Sequence, residues 1–391
     1  MIVGFAARGF KSMANFSIDK LTEFTCLVGL NGAGKSSVLQ LLDFSSHLMR
    51  GDVSQWLAKR GWSISDLHSK LSPSSNIAVA LEVKLADGSI LVWGGSFNRS
   101  SLSFTTEQVL NSSSNKALFS LVRGRYTIAG GSPTKVEFNY TGSILSALKS
   151  EVLTPEIIEL KEKVSNIRSL ELLSPHLMRA SLREAATDIG VGGERLSSFL
   201  FGIKGEARDK LVSLLREFYP AVVDFKVKQE RAGWKKLSII EEFEGERIET
   251  DSKHVNDGLL RILAIIAQSS HGNSLLLFDE VENGVNPEVV EQLVEVLRSS
   301  GQQVLVTTHS PMILNYLPDD VAKAAVRFIY RTYDGSTKAR ALFSVPRMAE
   351  KLRVMGPGEA FVDTSLTALA GECAELDELA AKNATEEPAL L

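Results

Sequence analysis

The sequence predicts an α/β protein with an antiparallel β-subdomain and a helical insertion, on three observations. A glycine-rich turn, Gly29-Leu30-Asn31-Gly32-Ala33-Gly34-Lys35-Ser36, stands between a short apolar run, Phe24 to Val28, and a stretch of helical character from Lys35 to Leu42. Far downstream, the apolar run Leu275 to Phe278 reads as a strand buried on both faces and ends at Asp279 and Glu280. Between them, Asn76 to Tyr140 alternates apolar and polar residues across the turns Ala86-Asp87-Gly88-Ser89 and Gly130-Gly131-Ser132-Pro133, the pattern of an antiparallel sheet.

Strand, glycine turn and helix in that order make a phosphate-binding loop. Glycines let the backbone wrap closely around phosphates, and the amides of the loop and of the helix start point at the negative charge. Gly29, Asn31, Gly32, Gly34, Lys35, Ser36 and Ser37 are therefore read as nucleotide-binding residues, with Lys35 reaching the β- and γ-phosphates of ATP. Ser36 is the expected Mg2+ ligand, and Asp279 holds the same ion directly or through its coordinated water. Glu280, beside that metal aspartate, is read as the general base that activates water. Either motif alone has a bland reading, a turn that binds no nucleotide or an acidic pair ending a strand in solvent; together they point to an ATPase.

The remaining elements follow from local pattern. Leu39 to Leu67 is largely helical, and Gln55 falls in this stretch, too early to serve as a magnesium-sensing glutamine. Ser143 to Glu217 reads as helical, with Ile157, Leu160, Val164 and Ile167 forming an ordinary packing stripe. The densest basic run, Lys226, Lys228, Arg231, Lys235 and Lys236 around Trp234, fits an antiparallel hairpin with Val227 and Leu237 turned inward. Such a run is more often a solvated face than a nucleic-acid groove. After Pro311, Val326 to Tyr330 and Ala341 to Ser344 form a strand pair across Tyr333-Asp334-Gly335-Ser336, and Arg347 to Val354 is a short helix. The stretch from Gly371 to Leu391 holds six acids and one lysine and reads as mobile or bound to a partner.

The residues after Glu280 narrow the class. Val281-Glu282-Asn283-Gly284-Val285-Asn286-Pro287 precedes an amphipathic helix, a strand from Val304 to Thr307, and Thr308-His309-Ser310-Pro311. This series resembles the ABC-type ATPases of the SMC, RecF and OLD (overcoming lysogenization defect) group. The resemblance implies an ABC-type P-loop NTPase with a helical lid, ATP and Mg2+ as cofactors, a D-loop at Glu282 to Val285, and a catalytic switch histidine at His309 that senses the γ-phosphate. It also implies that Asn256-Asp257-Gly258 stands where such ATPases carry a Ser-x-Gly signature turn, with Asn256 in place of the serine. In the family that turn binds the γ-phosphate of ATP held by another protomer, so Asn256 and Gly258 are assigned to the nucleotide and the protein to a homo-oligomer, at least a dimer. Without the flanking motifs Asn-Asp-Gly is an ordinary turn.

The opening segment, Gly4 to Ser12, looks like the first hairpin of SMC and RecF nucleotide domains, where Arg8 has two even readings: a phosphate or adenine contact, or an exposed edge arginine. Ser174 to Arg179 and Gly192 to Leu200 look like the lid of standalone OLD-like ATPases, with an interface or packing role for Arg179. The resemblance covers 1 to 369 and divides the chain into a first core part with its β-subdomain (1–142), a helical insertion (143–220), a second core part (221–369) and an acidic tail (370–391). OLD nucleases carry a metal-dependent TOPRIM domain beyond the switch histidine. Here 82 residues follow His309, Glu359 and Asp363 resemble an acidic metal pair, and no Asp-x-Asp stands among them. Any cutting is expected on another polypeptide.

Composition bounds these readings. The chain has 391 residues, 44% hydrophobic and 23% charged, enough for two lobes. No apolar stretch approaches the roughly 18 residues of a membrane span, no secretion pattern opens the chain, and two cysteines, Cys26 and Cys373, suit a reducing interior. A cytoplasmic protein without a membrane partner is expected. The net charge of −4 demands no nucleic acid. Three functions stay open: an ATPase whose oligomer controls a separate effector such as a nuclease in an anti-phage or toxin-like module, a RecF-like ATPase that clamps DNA, and a scaffold that hardly turns over.

Overall fold

The computed structural model describes residues 1–171 and 173–383. They fall into two compact units, Met1–Ile167 with Leu317–Leu391, and Arg168–Tyr316. The segment 143–220 contributes the helix Pro155–Ser165 to the first unit and its later helices to the second.

In the first unit the alternating region builds an eight-stranded sheet. Its spatial order is Phe16–Ile18, Ile2–Arg8, Asn76–Lys84, Ile90–Asn98, Ser103–Asn111, Ala117–Val122, Arg125–Ile128 and Thr134–Lys135, every neighbour antiparallel. Period-two alternation sends Ile77, Val79, Leu81 and Val83 into the core. The turn at Ala86 to Ser89 forms as the sequence indicates, with Asp87 Oδ1 accepting from Ser89 N at 2.9 Å.

One inward position carries a carboxylate. Glu107 is 2% exposed and accepts from Trp93 Nε1 at 2.7 Å, from Ser143 Oγ, and from Ile144 N at 3.0 Å. Burial outweighs these three donors and pushes its pKa up from 4.5 to about 7. A carboxyl whose folded pKa is raised favours folding fully below its unfolded value, and that contribution is lost as pH climbs through about 7. Thermal or denaturant melts of the wild type should therefore lose stability between pH 5 and 8, and Glu107→Gln should flatten that slope; equal slopes would refute the assignment.

Phe24–Val28, buried throughout, pairs in parallel with Val326–Arg331, which turns back antiparallel into Thr337–Ala341. The sequence places the returning strand at Ala341 to Ser344, but the turn closes sooner. Arg331 pairs with Thr337, Thr332 N donates to Ser336 O at 2.9 Å, and Leu342–Ser344 becomes a short 3-10 turn. The helix Lys35–Arg50 runs well past Leu42 because Phe44, Leu48 and Met49 continue its buried face. Against it packs Pro155–Ser165 through Ile157, Leu160 and Val164, the expected stripe; Ile167 lies beyond the helix end, in the strand Ile167–Ser169.

The acidic C-terminal stretch is a second departure. Leu366–Asn383 is a helix packed on Val326–Arg331. Cys373 and Ala374 are buried, and Asp377 accepts from Tyr330 Oη and from Arg340 Nη2. Residues 371–383 thus belong to a helix that packs on the first unit's own strand; the rest of the acidic tail lies outside the described residues.

The second unit holds a three-stranded meander, Val222–Gln229, Lys235–Phe243 and Glu246–Asp251, and a parallel pair, Leu275–Phe278 with Gln303–Thr307. The amphipathic helix Pro287–Ser299 connects that pair, the βαβ form that parallel pairing requires. The helix Asp257–Ser269 precedes it in sequence. The expected continuous helicity of 143–217 is not met. Helices occupy Pro155–Ser165, Pro175–Met178, Leu196–Gly202 and Gly205–Phe218, while most of 179–195 is irregular around Gly190, Gly192 and Gly193. Among the described residues no helix is long and apolar enough to cross a membrane.

Candidate functional site

The glycine turn of the first unit is shaped by contacts only glycine permits. A Cβ on Gly29 would sit 2.1 Å from Ile329 O, and one on Gly34 would sit 2.5 Å from Thr337 Oγ1, so Gly29 presses on the backbone of Val326–Arg331 and Gly34 on the Thr337 side chain. Gly32 instead faces open space at φ 74°, and Asn31 beside it is exposed, which leaves the loop's outer side free for a ligand. Lys35 is 5% exposed, and its ammonium donates to Gly29 O at 2.9 Å and Leu30 O at 3.2 Å, holding a positive charge across the loop. Ser36 and Ser37 lie half-buried in the first turn of the helix that starts at Lys35. The loop is braced from behind by Thr337, whose Oγ1 donates to Ala33 O at 2.8 Å and shares a 2.7 Å hydrogen bond with Ser12 Oγ. Arg8 is exposed at the end of its strand.

The acidic site of the second unit is built at the ends of two parallel strands. Thr307, the last residue of Gln303–Thr307, donates its hydroxyl to Asp279 Oδ1 and accepts from Glu280 N at 2.9 Å, so one side chain fixes both acidic residues. Glu280 adopts φ 47°, a left-handed backbone that costs a non-glycine residue about 1–2 kcal/mol. Its carboxylate is 45% exposed and stands between His309 Nε2 at 3.5 Å and Asn283 Nδ2 at 3.2 Å. Behind it, Arg261 donates to Glu280 O at 3.3 Å, while its buried Nε has no partner among the described residues. Burial pulls this guanidinium below its ordinary pKa, and Glu280, Glu282 and Asp279 oppose that shift.

The Asn256 turn belongs to the same unit. Asn256 Oδ1 accepts from Leu259 N at 2.7 Å and caps the helix Asp257–Ser269, while its exposed amide nitrogen has no partner among the described residues. A Cβ on Gly258 would lie 3.1 Å from Gly284 O and 3.2 Å from Tyr219 Oη, so the bare glycine lets this turn rest on the Glu282 to Val285 segment. Arg179 braces the turn, donating to Ser252 O at 3.1 Å, Val255 O at 2.6 Å and Asp257 Oδ1 at 2.6 Å, the packing alternative of its two sequence readings.

These features have counterparts in known proteins. A sequence-family profile described as "AAA domain, putative AbiEii toxin, Type IV TA system" matches residues 143–315, a span that takes in the Asn256 turn, Asp279, Glu280 and His309. No curated protein matches the chain. Among solved structures, the SmcHead bound to the C-winged helix domain of ScpA is similar with a TM-score of 0.51 at 15% identity, covering 87% of this chain and 96% of that one. The SMC head domain from Thermotoga maritima gives 0.46 at 13% identity over 87% and 98% of the two chains. The Smc head domain with an extended coiled coil bound to the C-terminal domain of ScpA, derived from Pyrococcus furiosus, gives 0.46 at 15% over 90% and 99%. The fold is that of an SMC head domain.

Sequence motifs pointed to the glycine turn, the acidic strand and the histidine; Thr337, Ser12, Thr307 and Arg261 escaped them. The first three are hydroxyl residues whose partners depend on strand register, and Arg261 sits on a buried helix face that periodicity marks only as core. The basic run is largely engaged within the protein. Lys228 pairs with Glu249 at 2.8 Å, Lys236 with Asp251 at 2.7 Å, and Lys235 donates to Arg183 O at 2.6 Å. The two late carboxylates also have local work: Glu359 accepts from Gly356 N at 3.2 Å and Asp363 pairs with Lys351 at 3.1 Å.

Proposed function

We propose that this protein is an ATPase that binds ATP with Mg2+ and hydrolyses it. The phosphate loop Gly29 to Ser37 cradles the phosphates, with Lys35 supplying charge, and Ser36 and Asp279 supply the hard oxygen ligands Mg2+ prefers. Among the described residues no group of three or more His, Cys, Asp or Glu could hold a metal by itself. That donor set suits Mg2+, which takes one or two protein ligands and completes its shell with phosphate oxygens and water. Glu280 accepts the proton of the attacking water, and His309 contacts the γ-phosphate. The observation that carries this reading is the strained Glu280, its backbone tied through Thr307 to Asp279 and its carboxylate 3.5 Å from His309. A carboxylate that merely ended a strand in solvent would not hold a costly φ among such partners.

Turnover is coupled to assembly in this reading: the exposed amide of Asn256, beside Gly258, donates to ATP held by a second copy of the chain, giving at least a dimer. The family description names a toxin of a type IV toxin–antitoxin system, which supports a cytoplasmic, toxin-like or anti-phage module in which the ATPase governs a separate effector. A solved head of the same fold binds a domain of another protein, in keeping with that arrangement. DNA clamping is the weaker alternative, because the ion pairs of the Lys226 to Lys236 hairpin already offset much of its charge. Purified protein should release phosphate from MgATP over many turnovers without DNA. A single-turnover burst would leave only a scaffold, and tight duplex binding that falls steeply with salt would restore the clamp.

A further inference from the structure

We infer that Glu282 is a positioning residue that aims the His309 ring at Glu280. Its Oε1 accepts three hydrogen bonds from one short segment: from Thr308 Oγ1 at 2.8 Å, His309 N at 3.0 Å and Ser310 N at 3.1 Å. Its other oxygen is buried and has no partner among the described residues, so the carboxylate's hydrogen bonds there all go to that segment. The histidine ring needs such support, because it is 40% exposed and its one polar neighbour among the described residues is the Glu280 carboxylate. With nothing else gripping the ring, the backbone at 308–310 decides where it points.

Glu282 is itself tied to the base. Asn283 N donates to Glu280 O at 2.8 Å and Val285 N to Glu282 O at 3.1 Å, forming consecutive tight turns. A closed circuit results, from Glu280 along the chain to Glu282, through its carboxylate to the His309 backbone, and through the ring back to Glu280. The segment that rests against Gly258 is thereby linked to the histidine, so a displacement at the Asn256 turn reaches the ring without touching ATP. The assignment rests on the reading of Glu280 and His309 as base and sensor, since a misplacement near 1 Å at such a group can cost about a hundredfold in rate.

Two measurements on the full chain separate this inference from that reading. Amide exchange followed at single-residue resolution, without nucleotide, should speed up at least about tenfold at His309 and Ser310 in Glu282→Ala, and about threefold or less in Glu282→Gln, whose amide oxygen still accepts. Unchanged exchange in Glu282→Ala overturns the inference whatever the enzyme does. In turnover, kcat should fall in the order wild type, Gln, then Asp and Ala, with Ala at least about tenfold down and KM for ATP within about twofold. Asp keeps the charge but loses the reach. An active Asp variant beside an inactive Gln variant would mean that charge at 282, and not aim, is what matters. If wild type itself releases no phosphate, the proposed function falls while the exchange result still judges the contact.

Discussion

Glu280→Gln should bind MgATP within about threefold of wild type, lower phosphate release by about a hundredfold to ten-thousandfold, and accumulate as a closed oligomer when ATP is present. The range is the usual contribution of a positioned general base. The amide matches the carboxylate in shape, still accepts from Asn283, and keeps the backbone bond to Thr307, so the site geometry survives while proton acceptance does not. Because the Asn256 turn is proposed to engage the nucleotide of the facing copy, blocking hydrolysis should preserve the contact that hydrolysis would dissolve. Phosphate release together with size-exclusion chromatography in ATP gives both readouts. Equal turnover in the two proteins would remove Glu280 from the mechanism, and a slow variant that stays monomeric in ATP would remove the assembly from it.

Lys35→Ala should lose nucleotide altogether, with affinity for ATP at least about a hundredfold weaker and no turnover. The ammonium in the free protein already spans the carbonyls of Gly29 and Leu30, so its charge is preplaced where phosphates would lie, and no ordering cost is deferred to binding. A hundredfold is about 2.7 kcal/mol, within the range for charge-assisted hydrogen bonds. The fold should persist, because Thr337 and Ser12 hold the loop through Ala33 independently of the lysine. Calorimetric titration with ATP, beside a melt of the free protein, separates the two effects; binding within threefold of wild type would sink the cradle assignment.

What could be read in advance was what local chemistry dictates. The glycine turn showed in its own spacing between an apolar run and a helix, Leu275 to Phe278 in an unbroken apolar run, and the Asp87 turn in its own side chain. What could not be read was anything set by distant pairing. Ser12 and Thr337 stand 325 residues apart, and no periodicity says that a threonine at the start of one strand will grip a carbonyl in the loop after another. Thr307 looks like any β-branched strand residue until its strand lies beside Asp279. Glu282 carries no mark that distinguishes a carboxylate accepting from amides from one facing water. Helicity was overread in 179–195, where three glycines and scattered polar residues break a pattern that looked continuous, and underread at 371–383, where Asp377, one of the acids that suggested mobility, itself accepts from Tyr330 and Arg340.

The unusual backbone at residue 280 sets selection for robustness against selection for turnover. Glycine there would adopt the φ of 47° freely and hand about 1 kcal/mol back to the folded state while deleting the proposed base. A library of variants sorted only for heat resistance would therefore enrich inert protein at this codon, and any engineering campaign on this chain has to hold position 280 fixed from the outset.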